Sequence, residues 1–322
     1  MTQITDYSTN YADLSGKPEP HSQTEALRIR TSHRDGVTTP TVSVVVPIFN
    51  KAEILKDMLT KLVGSLSLPF ELILIDDASG DASAQIAWDF LQGADLADWT
   101  LVETPVPLYE TACDNIGAAL ARGTYFLEVQ SDIFIEDAGF DARLMRALEH
   151  GNLSSISGRA CHGHGNLLPV KQHLRTCFIN GFRPQHLVAD FQGRGFMGGN
   201  MFRASKPVRR KNIYWKAPTN NRGPWMVKMA TFQRYGLLDS ENFFLGFDDH
   251  EFNYRCGQFG MRAGYMPVNI YSREMDGSTR QKRTGKNLEI FQEMTTTKQG
   301  PQNLLNCLRN VPSSGVEKVK LP

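Results

Sequence analysis

Residues 41–50 read TVSVVVPIFN. Its run of β-branched residues ends at Pro47 and Asn50, which is the pattern of a short buried strand. Asn50 and Glu53 have the spacing of a capping pair that opens a helix. The residues that follow place apolar side chains on one helical face: Ile54, Leu55, Met58, Leu59, Leu62 and Val63. The stretch therefore predicts a strand that leads directly into a helix.

The same alternation continues downstream. FELILIDD (70–77), WTLVET (99–104) and TYFLEVQ (124–130) have the composition of buried strands, and helical patterns separate them at 82–92 and 109–123. Strand–helix alternation with connections of this length predicts a parallel sheet with right-handed crossovers. We therefore expect an α/β fold with a Rossmann-like, mostly parallel central sheet flanked by helices.

Polar side chains gather where these predicted strands end. In an open sheet of this kind, ligands bind at the carboxyl ends of the strands. Those ends carry residues 47–50, 76–77 and 130–132, the last of which finishes on the carboxylate Asp132. Aspartates in such places can also cap helices, and that interpretation of Asp76 and Asp77 stays open. The sequence predicts a ligand site along this edge.

The second half of the chain has a looser pattern. Residues 224–236 and 248–260 predict two helices, and MRAGYMPV at 261–268 predicts a strand. Asp248 or Asp249 is expected to cap the second of these helices. Between 150 and 224 the chain is rich in glycine, histidine and basic residues, which predicts loops.

The two ends of the chain differ from its centre. Residues 1–40 are polar and lack periodicity, which predicts an N-terminal polar extension. Residues 287–322 predict a C-terminal helix and tail. The central part, 41–286, is expected to form one large domain.

Composition limits the class of protein. The chain has 322 residues, 41% of them hydrophobic, and a net charge of +1, so no global field favours a nucleic-acid partner. No stretch reaches the roughly 18 apolar residues of a membrane span, and the first residues lack the pattern of a signal peptide. Five widely spaced cysteines fit a reducing compartment. We expect a soluble, cytoplasmic protein.

Taken together, these segments resemble a known family. SVVVPIFN, ELILIDDASGD and NIGAALARGTYFLEVQSD are similar to the nucleotide-binding half of the family 2 glycosyltransferases, which have the GT-A fold. FMGGNMFRA and the segment from NRGPWMVKMATFQRYG to GQFGMRAGYMP resemble the acceptor half of that family. The resemblance covers roughly residues 41–275 and lies in the order and spacing of the motifs. It implies a nucleotide-sugar-binding half over 41–135 and an acceptor-binding half over 136–286.

The resemblance implies roles for the residues at the predicted sheet edge. Pro47 and Phe49 match positions that line the nucleobase pocket, and Asp76 matches the acid that binds uracil or ribose. Gln130-Ser131-Asp132 stands where the family has its Asp-x-Asp metal motif. The implied donor-binding set is Pro47, Phe49, Asn50, Asp76, Asp77, Asn115, Ser131 and Asp132.

The resemblance also implies catalytic and acceptor residues. Asp248 and Asp249 match an acidic pair whose second member is the catalytic base, and Arg255 matches an arginine of the same helix. A carboxylate within reach of an acceptor hydroxyl can take its proton, and a single displacement of this kind inverts the anomeric centre. The implied acceptor-binding set is Gly198, Gly199, Asn200 and Trp225, although core packing is the commoner use of a tryptophan.

Two departures concern the metal. Gln130 replaces the first acid of the metal motif, and Ser272-Arg273 occupies the place where many relatives have a late histidine. We still expect a divalent cation, Mn²⁺ or Mg²⁺, held by Asp132 and the oxygens of the diphosphate, because Mg²⁺ usually keeps several waters. Arg273, Arg280 and Arg283 lie in a glycine-punctuated basic segment, which is a candidate lid over the diphosphate.

Other motifs are weaker. GRGFMG at 193–198 does not follow a clear strand, so a dinucleotide site is rejected, and Cys161, His162 and His164 lack a second ligand pair for zinc. The basic segment 206–212 has three interpretations: a solvated loop, a surface for an anionic acceptor, or a surface for lipid phosphate. A lipid-phosphate surface would allow peripheral association with a membrane.

The sequence therefore predicts an inverting glycosyltransferase. Its expected partners are a nucleotide-sugar donor, with a UDP-sugar favoured by the resemblance, and a glycan or glycoconjugate acceptor. Two alternatives stay open: a nucleotidyltransferase on a similar sheet and a catalytically silent module that binds a sugar or nucleotide. PIFNKAE lacks the glycine-rich phosphate loop of the first alternative, whereas Gln130 keeps the second in view.

Overall fold

The structure is a computed structural model that describes residues 3–17, 26–33, 39–159, 212–217, 219–272, 285, 288–290, 292 and 317–322. The strands are β1 (Gln3–Thr9), β2 (Leu27–His33), β3 (Val42–Ile48), β4 (Phe70–Asp76), β5 (Asp98–Glu103), β6 (Tyr125–Glu128), β7 (Ile133–Ile135), β8 (Leu153–Arg159), β9 (Ile213–Ala217), β10 (Asn221–Lys228), β11 (Arg262–Tyr265), β12 (Ile270–Ser272) and β13 (Glu317–Lys320). The helices are α1 (Tyr11–Ser15), α2 (Leu55–Ser65), α3 (Ser83–Gly93), α4 (Tyr109–Leu120), α5 (Phe140–Gly151), α6 (Met229–Tyr235) and α7 (Asp248–Gly257).

A large mixed sheet organises the molecule. Its strand order in the described part of the chain is β1-β2-β5-β4-β3-β6-β10-β8-β11-β9-β13. The centre is parallel, because β3 pairs with β4 and β6, and β4 pairs with β5, all in the same direction. Strands β7 and β12 form a separate antiparallel pair. The α/β fold and the parallel centre that the alternating pattern predicts are confirmed.

Helices cover both faces of this sheet. Side chains alternate along β3, so Val44 and Val46 join the core beneath α2, α3 and α5, whereas Val45 joins the core beneath α4, α6 and α7. Gly117 of α4 faces Val45, and a Cβ at this glycine would overlap the valine side chain. The glycine therefore lets α4 lie close against the sheet.

The first forty residues differ from the predicted polar extension. Their described parts form β1, α1 and β2, and β2 pairs antiparallel with β5 from Arg28↔Glu103 to His33↔Asp98. Leu27 and Ile29 on β2 are fully buried. Their spacing of two residues is a strand pattern inside a polar context, which is why overall polarity concealed it.

The segment 224–236 also differs from its prediction. It does not form one helix: Asn221–Lys228 is strand β10, which pairs with β6 and β8, and helix α6 begins at Met229. Pro224 and the neighbouring Trp225 and Val227 are better suited to a strand than to a helix interior, and the sheet supplies partners on both sides.

Of the predicted C-terminal helix, only 288–290 and 292 fall within a described helical segment. Across the residues that the structure describes, none of the helices has the length and apolar character needed to cross a membrane.

Candidate active site

The parallel strands bring three groups of predicted site residues, at 47–50, 76–77 and 130–132, to one edge of the sheet. Asp76, the last residue of β4, pairs in register with Ile48 on one side and Glu103 on the other. Beyond these pairs, the backbone N–H of Asp77 donates to the carbonyl of Ile48 (2.8 Å), and that of Thr104 donates to the carbonyl of Asp76 (3.0 Å). The carboxyl ends of β3, β4 and β5 therefore meet around Asp76.

Asp76 is a buried acid with an unused acceptor atom. Its Oδ2 accepts a hydrogen bond from the backbone N–H of Ser79 (3.1 Å), whereas its Oδ1 is buried and has no hydrogen-bond partner among the described residues. Burial raises the pKa of Asp76 to about 6, although the hydrogen bonds from Ser79 oppose the rise. A buried acceptor without a partner is uncommon in folded proteins and suits a ligand that brings a donor.

Asp77 has a different environment. Its Oδ1 accepts from the backbone N–H of Leu108 (2.6 Å), and its Oδ2 accepts from the backbone N–H of Tyr109 (3.0 Å). Asp77 thus binds the amino end of α4, where a carboxylate also interacts favourably with the helix dipole. The interpretation of Asp77 as a helix-capping residue therefore holds for α4. Contact between Asp77 and a donor stays a prediction.

The loop after β3 is tied to the loop after β4. Asn50 has a positive φ of 53°; its Oδ1 accepts from the backbone N–H of Gly80 (2.8 Å), and its own N–H donates to Ser79 Oγ (3.0 Å). The predicted capping of α2 by Asn50 is wrong, because that helix begins at Leu55 without a side-chain cap. Asn50 instead holds two loops of the predicted donor site together.

Two other predicted donor residues lie beside this loop. Phe49 is buried with 5% of its surface exposed, and Pro47 on β3 is half-buried. Their position at the strand end agrees with the sequence pattern. Lining of a nucleobase pocket stays a prediction.

Asn115 lies buried on α4. Its Nδ2 donates to the carbonyl of Leu238 (3.0 Å), and its Oδ1 accepts from the N–H of the same residue (3.0 Å). The amide also lies 3.4 Å from the hydroxyl of Tyr11. Asn115 therefore joins α4 to the segment that precedes α7. Its direct contact with a nucleotide stays a prediction.

The Gln130-Ser131-Asp132 segment follows β6 at the same edge. Gln130 Nε2 donates to Glu110 Oε1 (2.7 Å), and Ser131 is buried. Asp132 Oδ2 accepts from Ser272 Oγ (3.4 Å), which places the predicted metal ligand beside β12. Within the described part of the chain, no group of three histidine, cysteine or acidic side chains converges as a metal site. The described residues alone therefore do not build a complete cation site.

Asp248 and Asp249 open helix α7. The N-cap is Phe247, which has a positive φ of 69°, and no side chain caps the helix, so the expected N-cap role of the two aspartates is wrong. Asp248 is fully buried and forms an ion pair with Arg222. Asp249 Oδ2 accepts from the backbone N–H of Arg222 (2.9 Å), and its Oδ1 accepts from that of His250 (2.8 Å). The two neighbouring acids therefore have different partners.

Arg222 is a site residue that sequence reasoning missed. Its guanidinium pairs with Asp114 of α4 as well as with Asp248, and lies 3.9 Å from Glu110. Nearby Glu128 is fully buried, and burial, with the charge of Asp114, raises its pKa well above the usual range. A sequence signal existed: Glu128 is an acid in the middle of the apolar strand TYFLEVQ.

His250 borders the predicted base. Its Nδ1 lies 2.6 Å from Thr219 Oγ1, and its Nε2 lies 3.9 Å from Asp249 Oδ1. Burial lowers the pKa of His250 against the opposing effect of the Asp249 charge, so the imidazole is neutral at pH 7. His250 therefore brings no positive charge next to Asp249.

Arg255 acts within the scaffold. It binds both oxygens of Glu251 (2.9 and 2.7 Å) and donates to the carbonyl of Leu237 (3.0 Å). These bonds fix α7 against the chain that follows α6.

Trp225 does not have the surroundings of an acceptor platform. Its side chain is fully buried against Phe126, Phe232 and Phe252, and its Nε1 donates to Asn220 Oδ1 (3.1 Å). A ring without an exposed face cannot stack on a sugar, so we assign Trp225 to the core. The other acceptor candidates, Gly198, Gly199 and Asn200, and the diphosphate candidates, Arg273, Arg280 and Arg283, lie outside the described residues.

A continuous series of contacts joins the three acidic regions. Asp77, next to Asp76, binds the start of α4, whose Glu110 binds Gln130. Gly223 lies against Gln130, since a Cβ at that glycine would be 2.9 Å from Gln130 Oε1. The adjacent Arg222 binds the acids that open α7. These contacts connect the regions around residues 76, 130 and 249, and their convergence on one ligand site stays a prediction.

Comparison with known proteins supplies the family. Over residues 43–234, the chain matches the family described as Glycosyl transferase family 2. It is 28% identical over 117 residues to the uncharacterized glycosyltransferase EpsJ of Bacillus subtilis (strain 168), a match that covers 36% of this chain and 33% of that protein. It is 24% identical over 152 residues to a dolichyl-phosphate beta-glucosyltransferase of Dictyostelium discoideum, covering 44% of this chain and 46% of the relative. The matches thus span less than half the length of these relatives.

A solved structure agrees with the fold. The mannosyltransferase PcManGT from Pyrobaculum calidifontis, in complex with GDP-Man and Mn²⁺, superposes with a TM-score of 0.52 at 14% sequence identity, covering 87% of this chain and 72% of the other. This likeness concerns the fold, which is the GT-A fold that the sequence motifs imply. Because the family match extends over more than half of the chain, the protein belongs to glycosyl transferase family 2.

Proposed function

We propose that this protein transfers a sugar from a nucleotide-sugar donor to a hydroxyl of a glycan or glycoconjugate, by a single inverting displacement with Asp249 as the base. The observation that carries the proposal is the series of contacts that unites the Asp76, Asp132 and Asp249 regions at the carboxyl edge of the sheet. Family membership supports sugar transfer as the reaction.

The donor is assigned to the Asp76 end of the site. The buried Oδ1 of Asp76 requires a hydrogen-bond donor, and the imino N–H of uracil supplies one. Guanine also carries a ring N–H, and the structural relative PcManGT was solved with GDP-Man. We favour UDP on the sequence resemblance, and a panel that includes GDP-sugars distinguishes the two bases.

The base is assigned to Asp249 rather than to Asp248. Asp248 forms its ion pair with Arg222 and is fully buried, whereas Asp249 binds two backbone N–H groups and keeps some exposure (6%). Hydrogen bonds from N–H groups favour the ionised form of a carboxylate, which is the form that accepts a proton. The remaining lone pairs of Asp249 are directed to the acceptor hydroxyl in this proposal.

A divalent cation is assigned to Asp132 and the diphosphate. Because Gln130 binds Glu110 and the described residues hold no group of three ligands, the described part of the chain would contribute the carboxylate of Asp132, and phosphate oxygens and water would add to the shell. The bound cation would supply positive charge to the leaving diphosphate. The Mn²⁺ in the PcManGT complex supports this assignment.

Nucleotide release tests the proposal. Purified protein is incubated with UDP-, GDP- and dTDP-sugars and a mixture of glycan acceptors, with Mn²⁺ or with EDTA, and free nucleotide is measured. We expect release from at least one donor, a loss of release with EDTA, and no loss in the control Asp89→Asn, which removes an exposed acid on α3. Absence of release and of nucleotide binding under all conditions would reject the proposal.

The neutral Gln130 favours one alternative, a catalytically silent module that binds a nucleotide or sugar. Nucleotide binding by calorimetry without release from any donor would identify that alternative.

A further inference from the structure

Arg222 is a cation buried among carboxylates from several elements. Its side chain is 4% exposed and pairs with Asp114 of α4 and Asp248 of α7. The charges of Glu110 and Glu128 also act on it. Burial alone would lower the pKa of Arg222, but these neighbours raise it above its usual range, so the guanidinium stays charged. One cation thus links the helix of the donor half to the helix that carries the base.

The backbone of the same residue binds the base itself. The N–H of Arg222 donates to Asp249 Oδ2 at 2.9 Å. The next residue, Gly223, has a positive φ of 87° and lies against Gln130, so this part of β10 contacts both the metal-motif segment and α7. Because the guanidinium is planar and contacts two carboxylates, it restrains the residue whose N–H holds Asp249.

We propose that Arg222 is a positioning residue for the transfer reaction, which keeps the carboxylate of Asp249 in one orientation. Its guanidinium acts by anchoring Asp114 and Asp248, and its backbone N–H acts by binding Asp249. This inference rests on the proposed function, in which Asp249 is the base.

Several acidic groups surround Asp249, and Arg222 is the cation that pairs with two of them. The titratable groups that face this region from α4, β6, β10 and α7 are Glu110, Asp114, Glu128, Arg222, Asp248 and His250. Burial keeps His250 neutral and, against the attraction of Arg222, raises the pKa of Asp114 to about 7. Without Arg222, the cluster would lose the positive charge that pairs with Asp114 and Asp248, and loss of a positive charge next to the reacting groups moves the acid limb of a pH–rate profile to higher pH.

The test compares Arg222→Gln with Arg222→Lys in the nucleotide-release assay as a function of pH. For Arg222→Gln we expect kcat at pH 7 to fall roughly 100-fold with less than about a threefold change in donor KM, because positioning acts on the chemical step. The acid limb of its kcat profile should move upward by about one pH unit. Arg222→Lys keeps the charge, so its acid limb should stay in place and about tenfold of the lost kcat should return.

A buried arginine elsewhere provides the matched control. Arg143 of α5 binds Asp137 through two bonds (3.1 and 2.7 Å), remote from Asp249 in the fold. Arg143→Gln should lower the melting temperature without moving the acid limb. If the Arg222 variants behave like this control, with loss of stability only, the inference is overturned.

Folding and turnover are separated by two further measurements. If Arg222→Gln does not fold, the double variant Arg222→Gln/Asp114→Asn removes one unpaired acid and should still show the displaced acid limb; an unmoved limb overturns the inference. If the unmodified protein releases no nucleotide, the proposed function fails and the role of Arg222 in transfer fails with it, whereas hydrogen exchange still tests whether Arg222 restrains residues 248–252. Amide exchange at residues 248–252 should be about tenfold faster in Arg222→Lys than in Arg143→Gln, because the first turn of α7 opens more easily when its restraint is weakened. Equal exchange rates in the two variants would overturn the restraint.

Discussion

Asp76→Asn should make this protein more stable and less able to bind its donor. Asp76 has a pKa of about 6 in the folded protein against an ordinary value of 3.8, because burial disfavours its charge. The difference of about two pKa units corresponds to about 3 kcal/mol of unfolding free energy. Since the folded pKa is the higher one, bound protons stabilise the fold. This stabilisation is complete below about pH 4 and is lost as the pH rises through about 6.

Denaturant unfolding at two pH values isolates this effect. Urea unfolding of the unmodified protein and of Asp76→Asn, followed by tryptophan fluorescence, gives the free energy of unfolding at pH 4.5 and 7.5. The stability of the variant relative to the unmodified protein should increase by about 2 kcal/mol between these values, because asparagine carries no titrating charge. Asp89→Asn, at an exposed position on α3, should change little between them.

Donor binding supplies the second half of the prediction. Replacing the carboxylate by an amide weakens a charge-assisted hydrogen bond, so the affinity for the nucleotide should fall about 10- to 100-fold in calorimetry at pH 7.5. The unmodified protein should itself bind less tightly below pH 6, where Asp76 is protonated. A pH-independent difference in stability, or unchanged nucleotide affinity, would refute the assignment of Asp76 as a buried, ionised acceptor.

Three other substitutions test the remaining assignments. Asp249→Asn should reduce transfer by at least about 1000-fold while the donor Kd stays within about threefold, because a general base is lost; surviving transfer would place the base elsewhere. Asp132→Ala should weaken donor binding in the presence of Mn²⁺ and have little effect with EDTA, as calorimetry can show; equal losses in both conditions would count against a cation at this position. Trp225→Ala should cost about 3–5 kcal/mol of unfolding free energy, because it empties a fully buried site; a small loss of stability with a raised acceptor KM would restore the stacking role.

The parallel centre of the fold could be predicted because each of its elements carries a local signal. Runs such as TVSVVVPIFN and FELILIDD are apolar throughout, as strands covered on both faces must be. The order of strands and helices then placed Asp76 and Asp132 at one edge. By contrast, the β10 strand was predicted as a helix, because its pairing with β6 and β8 depends on residues about 70–100 positions away in the chain.

The contacts within the site could not be predicted for the same reason. Asn50 and Glu53 have the spacing of a local cap, yet Asn50 binds Gly80 on another loop. Arg222 and Asp114 are separated by more than a hundred residues. They meet because α4 packs on β3, and only β6 lies between β3 and β10 in the sheet. Sequence periodicity indicates which residues are buried, but only the fold determines which buried charges become neighbours.

The pairing of β2 with β5 has a consequence for the part of the chain that is needed. The family match begins at residue 43, but strand β5 has its outer neighbour at 27–33, before that boundary. A shortened protein that starts at the family boundary would leave β5 with a row of unsatisfied amide and carbonyl groups, which invites association with other chains. It would also remove Tyr11, whose hydroxyl contacts the side chains of Asn115 and Ser240. The paired strands β1 and β2 therefore cover the edge of the sheet at β5. The smallest part of the chain that folds extends beyond the segment that matches the family.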